Sequence, residues 1–333
     1  MFHDDLGFGL HQLDLSYNYI KKLSGGVFKT FKNLNTLVLD GNKELNFTSK
    51  SFEGLDQLEK LSLDYCDLKS LPGNVFETLL SLKYLSLRGN RFDKMPNAIN
   101  SIPHLEILDL SYTDIAEFND RALKSDHQIK QLFMTNLHYM YLIDRCAFCG
   151  LPNLEKIDFS NSPQLYNIAG DAFGMGTMES ATSTEPASKI KSINLSNCSI
   201  KLLPPNLVDY EGLDEFYLEG NPLECNCLTD HLASTNIPYK DTPRCAKPAR
   251  LEGVKITSAT HMCGFDLSGI IESFFLVYCI CIFLIGLSLF WAKGRCSNVF
   301  YKPDMPHIGY SNLTARNDDD QKHLQNDFDP VNV

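Results

Sequence analysis

The chain has 333 residues, is 44% apolar, and carries 41 acidic against 30 basic side chains, for a net charge of −11. That length supplies a large core. The acidic balance counts against nucleic acid as a partner, whose binding rests on Lys and Arg set against phosphate.

The chain opens MFHDDLGFGLHQL. No charged, apolar and cleavable leader precedes the first periodic residues. Because the rest of the chain reads as exported, the expectation is a front that is incomplete. From Leu10 a pattern LxxLxLxxN recurs, led by Leu10, Leu34, Leu58, Leu82, Leu105, Ile129, Leu154, Ile190 and Leu213. Seven of the eight steps between these units are 23 to 25 residues, and one is 36. The two apolar residues of LxL share one face of a short strand, and one such strand cannot bury that face alone. Stacked copies can, which makes the period a solenoid signal. Phe28, Phe52, Phe76, Leu123, Phe148 and Phe173 form a second apolar column, read as a spine beneath the convex side.

The pattern resembles the leucine-rich repeat family over about residues 10–263. The resemblance implies an α/β solenoid, a curved parallel sheet with an irregular or short helical convex side, over residues 1–221. The ninth position is Asn18, Asn42, Asn90 or Asn221 in four units, suited to satisfy backbone where the chain leaves the sheet. Other units carry Cys66, Thr113, Ser162 and Cys198 there, and Cys and Thr are familiar substitutes in the family. Leu137 offers no hydrogen bond, so the sixth repeat is expected to be irregular.

Outward positions flank the strand leucines and form the natural docking face. Position five reads Asp14, Val38, Ser62, Ser86, Asp109, Phe133, Asp158, Asn194, Tyr217. Position seven reads Ser16, Asp40, Asp64, Arg88, Ser111, Thr135, Ser160, Ser196, Glu219. Tyr17, Tyr65, Tyr84 and Tyr112 border these columns. A solvated polar face is the plain reading. The sharper one is a contact surface in which tyrosines and acids meet a protein with a basic patch.

Glycan acceptors of the form N-x-S/T stand at Asn46, Asn194, Asn197 and Asn312. Asn312 falls in the tail and is expected to stay bare. Cys146 and Cys149 form a CxxC around Phe148, read as a local disulfide or two free thiols. The long step holds a polar insertion, 174–189, read as a mobile loop.

After the last repeat, Cys225, Cys227, Cys245 and Cys263 are spaced C-x-C-x17-C-x17-C. The cluster, with PxxLEG from Pro248 to Gly253, is similar to the cysteine-rich C-terminal cap of extracellular leucine-rich repeat proteins. Leu223 stands where that cap usually has Trp. The resemblance implies the pairs Cys225–Cys245 and Cys227–Cys263, in a cap over 222–264. Sequence alone leaves the connectivity open, and a four-thiolate zinc site competes. Disulfides suit the oxidising side of a membrane, so no metal is expected.

A linker, 265–272, leads to SFFLVYCICIFLIGLSLFWA, residues 273–292, with no charge. As a helix it spans about 30 Å, the hydrocarbon core of a bilayer. Trp291 anchors one interface, and Lys293 and Arg295 place that end in the cytoplasm. The expected topology is single-pass type I in the plasma membrane, repeats outside. The tail, 293–333, is polar and expected to be disordered. Tyr310 and Leu313 match a YxxΦ sorting signal, and Val331 and Val333 a PDZ ligand, so sorting or PDZ adaptors are candidate partners.

No motif for catalysis or for a cofactor stands out. The reading is a cell-surface recognition or adhesion receptor, not an enzyme, that binds an extracellular or membrane protein. The alternative is an auxiliary subunit of a membrane channel or receptor complex. Size, single span and short tail are similar to those of the leucine-rich repeat auxiliary subunits of potassium channels.

Overall fold

A computed structural model describes residues 9–120, 122–123, 128–174, 189–234, 236–259, 262 and 267–296. Within the last stretch, side chains are described over 273–289. Chain contacts divide the protein into two units, 1–264 and 265–333.

The first unit is built on one nine-stranded parallel sheet. Its strands are β1 (Gln12–Asp14), β2 (Thr36–Val38), β3 (Lys60–Ser62), β4 (Tyr84–Ser86), β5 (Ile107–Asp109), β7 (Gln131–Phe133), β9 (Lys156–Asp158), β11 (Ser192–Asn194) and β12 (Glu215–Tyr217). Each is three residues long because only positions three to five of the repeat are extended. The central residue of every strand points into the core; Leu37, Leu61, Leu85 and Leu108 are fully buried. Neighbours pair position for position, so the position-five residues stand side by side along the sheet. Backbone bonds carry the ladder past the strands, as in Leu15 N–H to Val38 O (2.9 Å) and Tyr17 N–H to Asp40 O (2.7 Å).

The phenylalanine column is core: Phe28, Phe52, Phe76, Phe148 and Phe173 are buried. Phe148 stacks on Phe173 at 4.6 Å between ring centroids, and Phe52 on Phe76 at 5.9 Å. A three-stranded parallel sheet, β6 (Glu117–Phe118), β8 (Leu142–Ile143) and β10 (Asn167–Ile168), lines part of the return path. Elsewhere that path is turns and a short 3-10 segment, Asn97–Ser101.

The sixth repeat is regular, contrary to the expectation from Leu137. Strand β7 keeps register with both neighbours. Leu137 fills the ninth-position slot as a fully buried apolar group, and its N–H is taken by Ser162 Oγ of the next repeat (3.2 Å). Ser162 serves the Leu137 N–H as Asn90 serves that of Cys66, so the sixth coil is held from the next one as its neighbours are.

The sheet's last edge is closed by the chain that follows it. Phe216 N–H donates to Pro238 O (3.2 Å), and Lys240 N–H to Phe216 O (3.0 Å), so β12 does not end in open backbone. Below, β13 (Leu223–Glu224) pairs with β14 (Cys245–Lys247). Cys225 and Cys245 are bonded across this pair, with Cα atoms 5.6 Å apart. A single helical turn, α1 (His231–Ser234), buries Leu232 against the core. Cys227 is an exposed free thiol, and Cys263 lies outside the described residues, so the second implied bridge is not placed. Cys146 and Cys149 are joined as a local disulfide.

The second unit contains α2 (Leu267–Cys296), 30 residues long. The predicted linker is therefore helical from Leu267, and the helix runs past the predicted end at Ala292. No proline interrupts its hydrogen-bond ladder, and its three glycines, Gly269, Gly286 and Gly294, cost about 1 kcal/mol each. All described side chains, over 273–289, are exposed. Among the described residues no helix is long and apolar enough to cross a membrane. Outside the described residues lie 175–188 of the insertion, Asn312, Tyr310, Leu313, Val331, Val333 and the rest of 297–333.

Candidate docking face

The outward side of the nine-stranded sheet carries both predicted columns, but its acids have structural work. Asp14, Asp109, Asp158 and Asn194 each accept, at 2.8–3.0 Å, the N–H of position seven in their own repeat. Where position five is Ser, the acid comes from the previous repeat. Asp40 Oδ1 accepts from Ser62 Oγ (2.6 Å) and Asp64 N–H (2.9 Å); Asp64 Oδ1 accepts from Ser86 Oγ (2.5 Å) and Arg88 N–H (2.9 Å). Phe133 offers no acceptor, and Ser111 Oγ takes the Thr135 N–H (3.1 Å). At the last strand Asp241 reaches back to Glu219 N–H (2.6 Å). In eight of the nine repeats, then, a side-chain oxygen holds the position-seven N–H. Neither a solvated face nor a ligand contact, the two readings open from the sequence, includes this rule. Burial pushes the Asp64 carboxyl up to about 6.

Just past this column, position eight is left-handed in all nine repeats, filled by Tyr17, Gly41, Tyr65, Gly89, Tyr112, Asn136, Asn161, Asn197 and Gly220. The reason is the turn that leaves the sheet, which needs a positive φ at one residue. Glycine supplies it freely, and asparagine at small cost. Three tyrosines do not fit that rule. Each ring's location follows from the neighbour: a Cβ on Gly41 would collide with the Tyr17 ring, and one on Gly89 with the Tyr65 ring. Tyr17 and Tyr65 therefore lie over the next repeat, while Tyr112 meets Arg88 of the one before; the three are exposed by 70%, 42% and 40% in chain order. Arg88 ties two of them together. Its Nε donates to Tyr65 Oη (3.2 Å), and its guanidinium sits 4.5 Å from the centre of the Tyr112 ring. Tyr84, grouped with them in the sequence reading, lies instead in β4 at position three and is half-buried.

Position two was also missed. It reads Glu59, Lys83, Glu106, Lys130 and Glu155 in consecutive repeats. Lys83 pairs with Glu59 at 2.8 Å, and Lys130 with Glu106 at 3.1 Å. This edge neutralises itself, which leaves the net acidity to the face between. Alternating sign at the repeat period was visible in the sequence.

The acceptor Asn46 is exposed, with Nδ2 bonded only to backbone oxygens of Glu44 (2.9 Å) and Lys21 (3.5 Å). Asn194 is tied on both sides, to Asp158 Oδ2 (3.1 Å) and to Ser196 N–H (3.0 Å). Asn197 is exposed and donates to Asn161 Oδ1 (3.0 Å). Among the described residues no cluster of three or more His, Cys, Asp or Glu side chains is placed to hold a metal ion.

A family model for the leucine rich repeat matches residues 8–68 and 57–115. The match takes in the first five of the nine coils. Mouse leucine-rich repeat-containing protein 52 is 31% identical over 111 residues, which are 28% of this chain and 35% of that protein. The chain thus spans about a third of that relative's length. A solved structure, described as the crystal structure of a TLR13-ssRNA13 complex, is 22% identical with a TM-score of 0.43. It covers 59% of this chain and 30% of its own. A leucine-rich repeat solenoid is generally a non-catalytic scaffold for interaction.

Proposed function

We propose that the protein is a single-pass cell-surface receptor that binds a basic protein ligand on the outward face of its sheet. The carrying observation is that face itself: nine strands in register present one continuous surface while their other side is core. Positions five and seven hold six acids, Asp14, Asp40, Asp64, Asp109, Asp158 and Glu219, against Arg88 as their one base. The aspartates use one oxygen for backbone and leave the charge on the surface.

The membrane setting draws on different support. Helix α2 has 30 residues, about 45 Å, and contains the uncharged run 273–292. Its following Lys293 and Arg295 favour a cytoplasmic C-terminal end. The Cys225–Cys245 bond suits an oxidising exterior for the repeats, where Asn46 is the glycan site best presented. In the tail, Tyr310 with Leu313 and the terminal Val331 and Val333 are the proposed adaptor contacts.

The test is a screen of the full chain, displayed on cells, against extracellular proteins. Asp109→Asn and Asp158→Asn keep the turn bond, as Asn194 does, and remove the charge, the second also giving up the bond from Asn194 Nδ2. Together they are expected to weaken ligand binding about tenfold or more and to flatten its salt dependence. Unchanged binding would move the site off this face.

A further inference from the structure

We infer that the position-eight ridge docks a proline-rich segment with basic residues, held as a polyproline II helix. The inference takes its setting from the receptor reading above and names the chemistry of the partner.

Tyr17, Tyr65 and Tyr112 recur at every second repeat, in a slot that glycine or asparagine fills elsewhere. Their φ values of 55°, 53° and 60° are costly for a bulky side chain. Core packing does not explain the choice, because the rings are exposed. The backbone ladder runs through this position: Tyr65 N–H donates to Arg88 O (2.8 Å), and Gly89 N–H to Ser111 O (2.9 Å). Each repeat therefore advances by one strand spacing, about 4.8 Å, and two repeats by about 9.6 Å. A polyproline II helix turns once in three residues, or about 9.3 Å. An extended strand presents the same side about every 6.8 Å, and an α-helix about every 5.4 Å. Two α-helical turns come to about 10.8 Å, so the polyproline II repeat lies nearest to the tyrosine spacing, and prolines three residues apart meet successive rings.

Charge completes the fit. The column beside the ridge carries Asp40 and Asp64, and the next one Asp109. Arg88 is engaged by Tyr65 and Tyr112, and it braces the second and third rings. One Lys or Arg per turn of the ligand would face these acids while the prolines face the rings. Exposed aromatic rings held rigidly on a scaffold suit such a ligand, which has little order left to lose.

The probe is a fluorescent Pro-Pro-Lys repeat peptide long enough to cross all three rings. Its control is a Gly-Ser-Lys peptide of equal length and charge, and anisotropy is read with the full chain in detergent micelles. The proline peptide is expected to bind at least about tenfold tighter than the control. Tyr17→Asn and Tyr65→Asn keep a residue suited to the left-handed turn, and each is expected to weaken binding about fivefold to tenfold. The distant Tyr166→Ala is expected to leave it unchanged. Equal binding of the two peptides, or unchanged binding by both Asn variants, overturns the inference. If that happens while surface ligands still respond to Asp109→Asn with Asp158→Asn, the ridge proposal falls and the receptor reading stands.

Discussion

Asn90 shows how one side chain fixes a coil. Its Nδ2 donates to Leu63 O and Leu87 O, both at 2.8 Å, and its Oδ1 accepts from Cys66 N–H (3.1 Å) and Leu68 N–H (3.0 Å). Asn90→Ala would strand four buried backbone groups, so a loss of about 3 kcal/mol is expected in denaturant unfolding. Asp64 gives a pH signature. Its folded carboxyl titrates near 6, raised by burial from 3.8. A group raised on folding stabilises most below its unfolded pKa and stops doing so above its folded one. Stability should therefore fall as pH rises from about 4 to about 6, and Asp64→Asn, which keeps the acceptor, should flatten that slope. The asparagine role was legible in the sequence, because Asn at a fixed place in a repeat has few other uses. The tyrosine role was not. A left-handed φ is a property of the turn, and Tyr, Gly and Asn share no side-chain chemistry that would mark the slot.

Among the elements, the place of each strand was readable, since each LxL puts its apolar pair on one side, but that only positions three to five are extended was not. What position eight does between coils was not readable. Gly89 illustrates the coupling: its φ is +66°, and a Cβ there would meet the Tyr65 ring. Gly89→Ala should cost about 2 kcal/mol, part from backbone and part from displacing the ring. Tyr65→Asn in the same chain should return roughly half of that in a double-mutant cycle, the backbone part remaining. Simple additivity would mean that the ring does not rest on Gly89. Leu137 carries the opposite lesson. Read alone it looks like a defect, and only the next repeat, through Ser162, shows how its backbone is satisfied.

For the whole molecule, repeats support one another only through neighbours, so the last coil depends on what closes it. Breaking Cys225–Cys245 by Cys225→Ser with Cys245→Ser should cost about 2–4 kcal/mol. The loss should appear first as faster hydrogen exchange in β12, with β3 and β4 protected. Uniform loss across the sheet would show a solenoid more cooperative than nearest-neighbour stacking. The most direct test of the receptor account is labelling of intact cells that make the protein, using a membrane-impermeant amine reagent read by mass spectrometry. The account predicts labelled Lys50 and Lys69 on the repeats and an unlabelled Lys322 in the tail. Label on Lys322 with the repeats untouched would contradict it, as would label on none of the three.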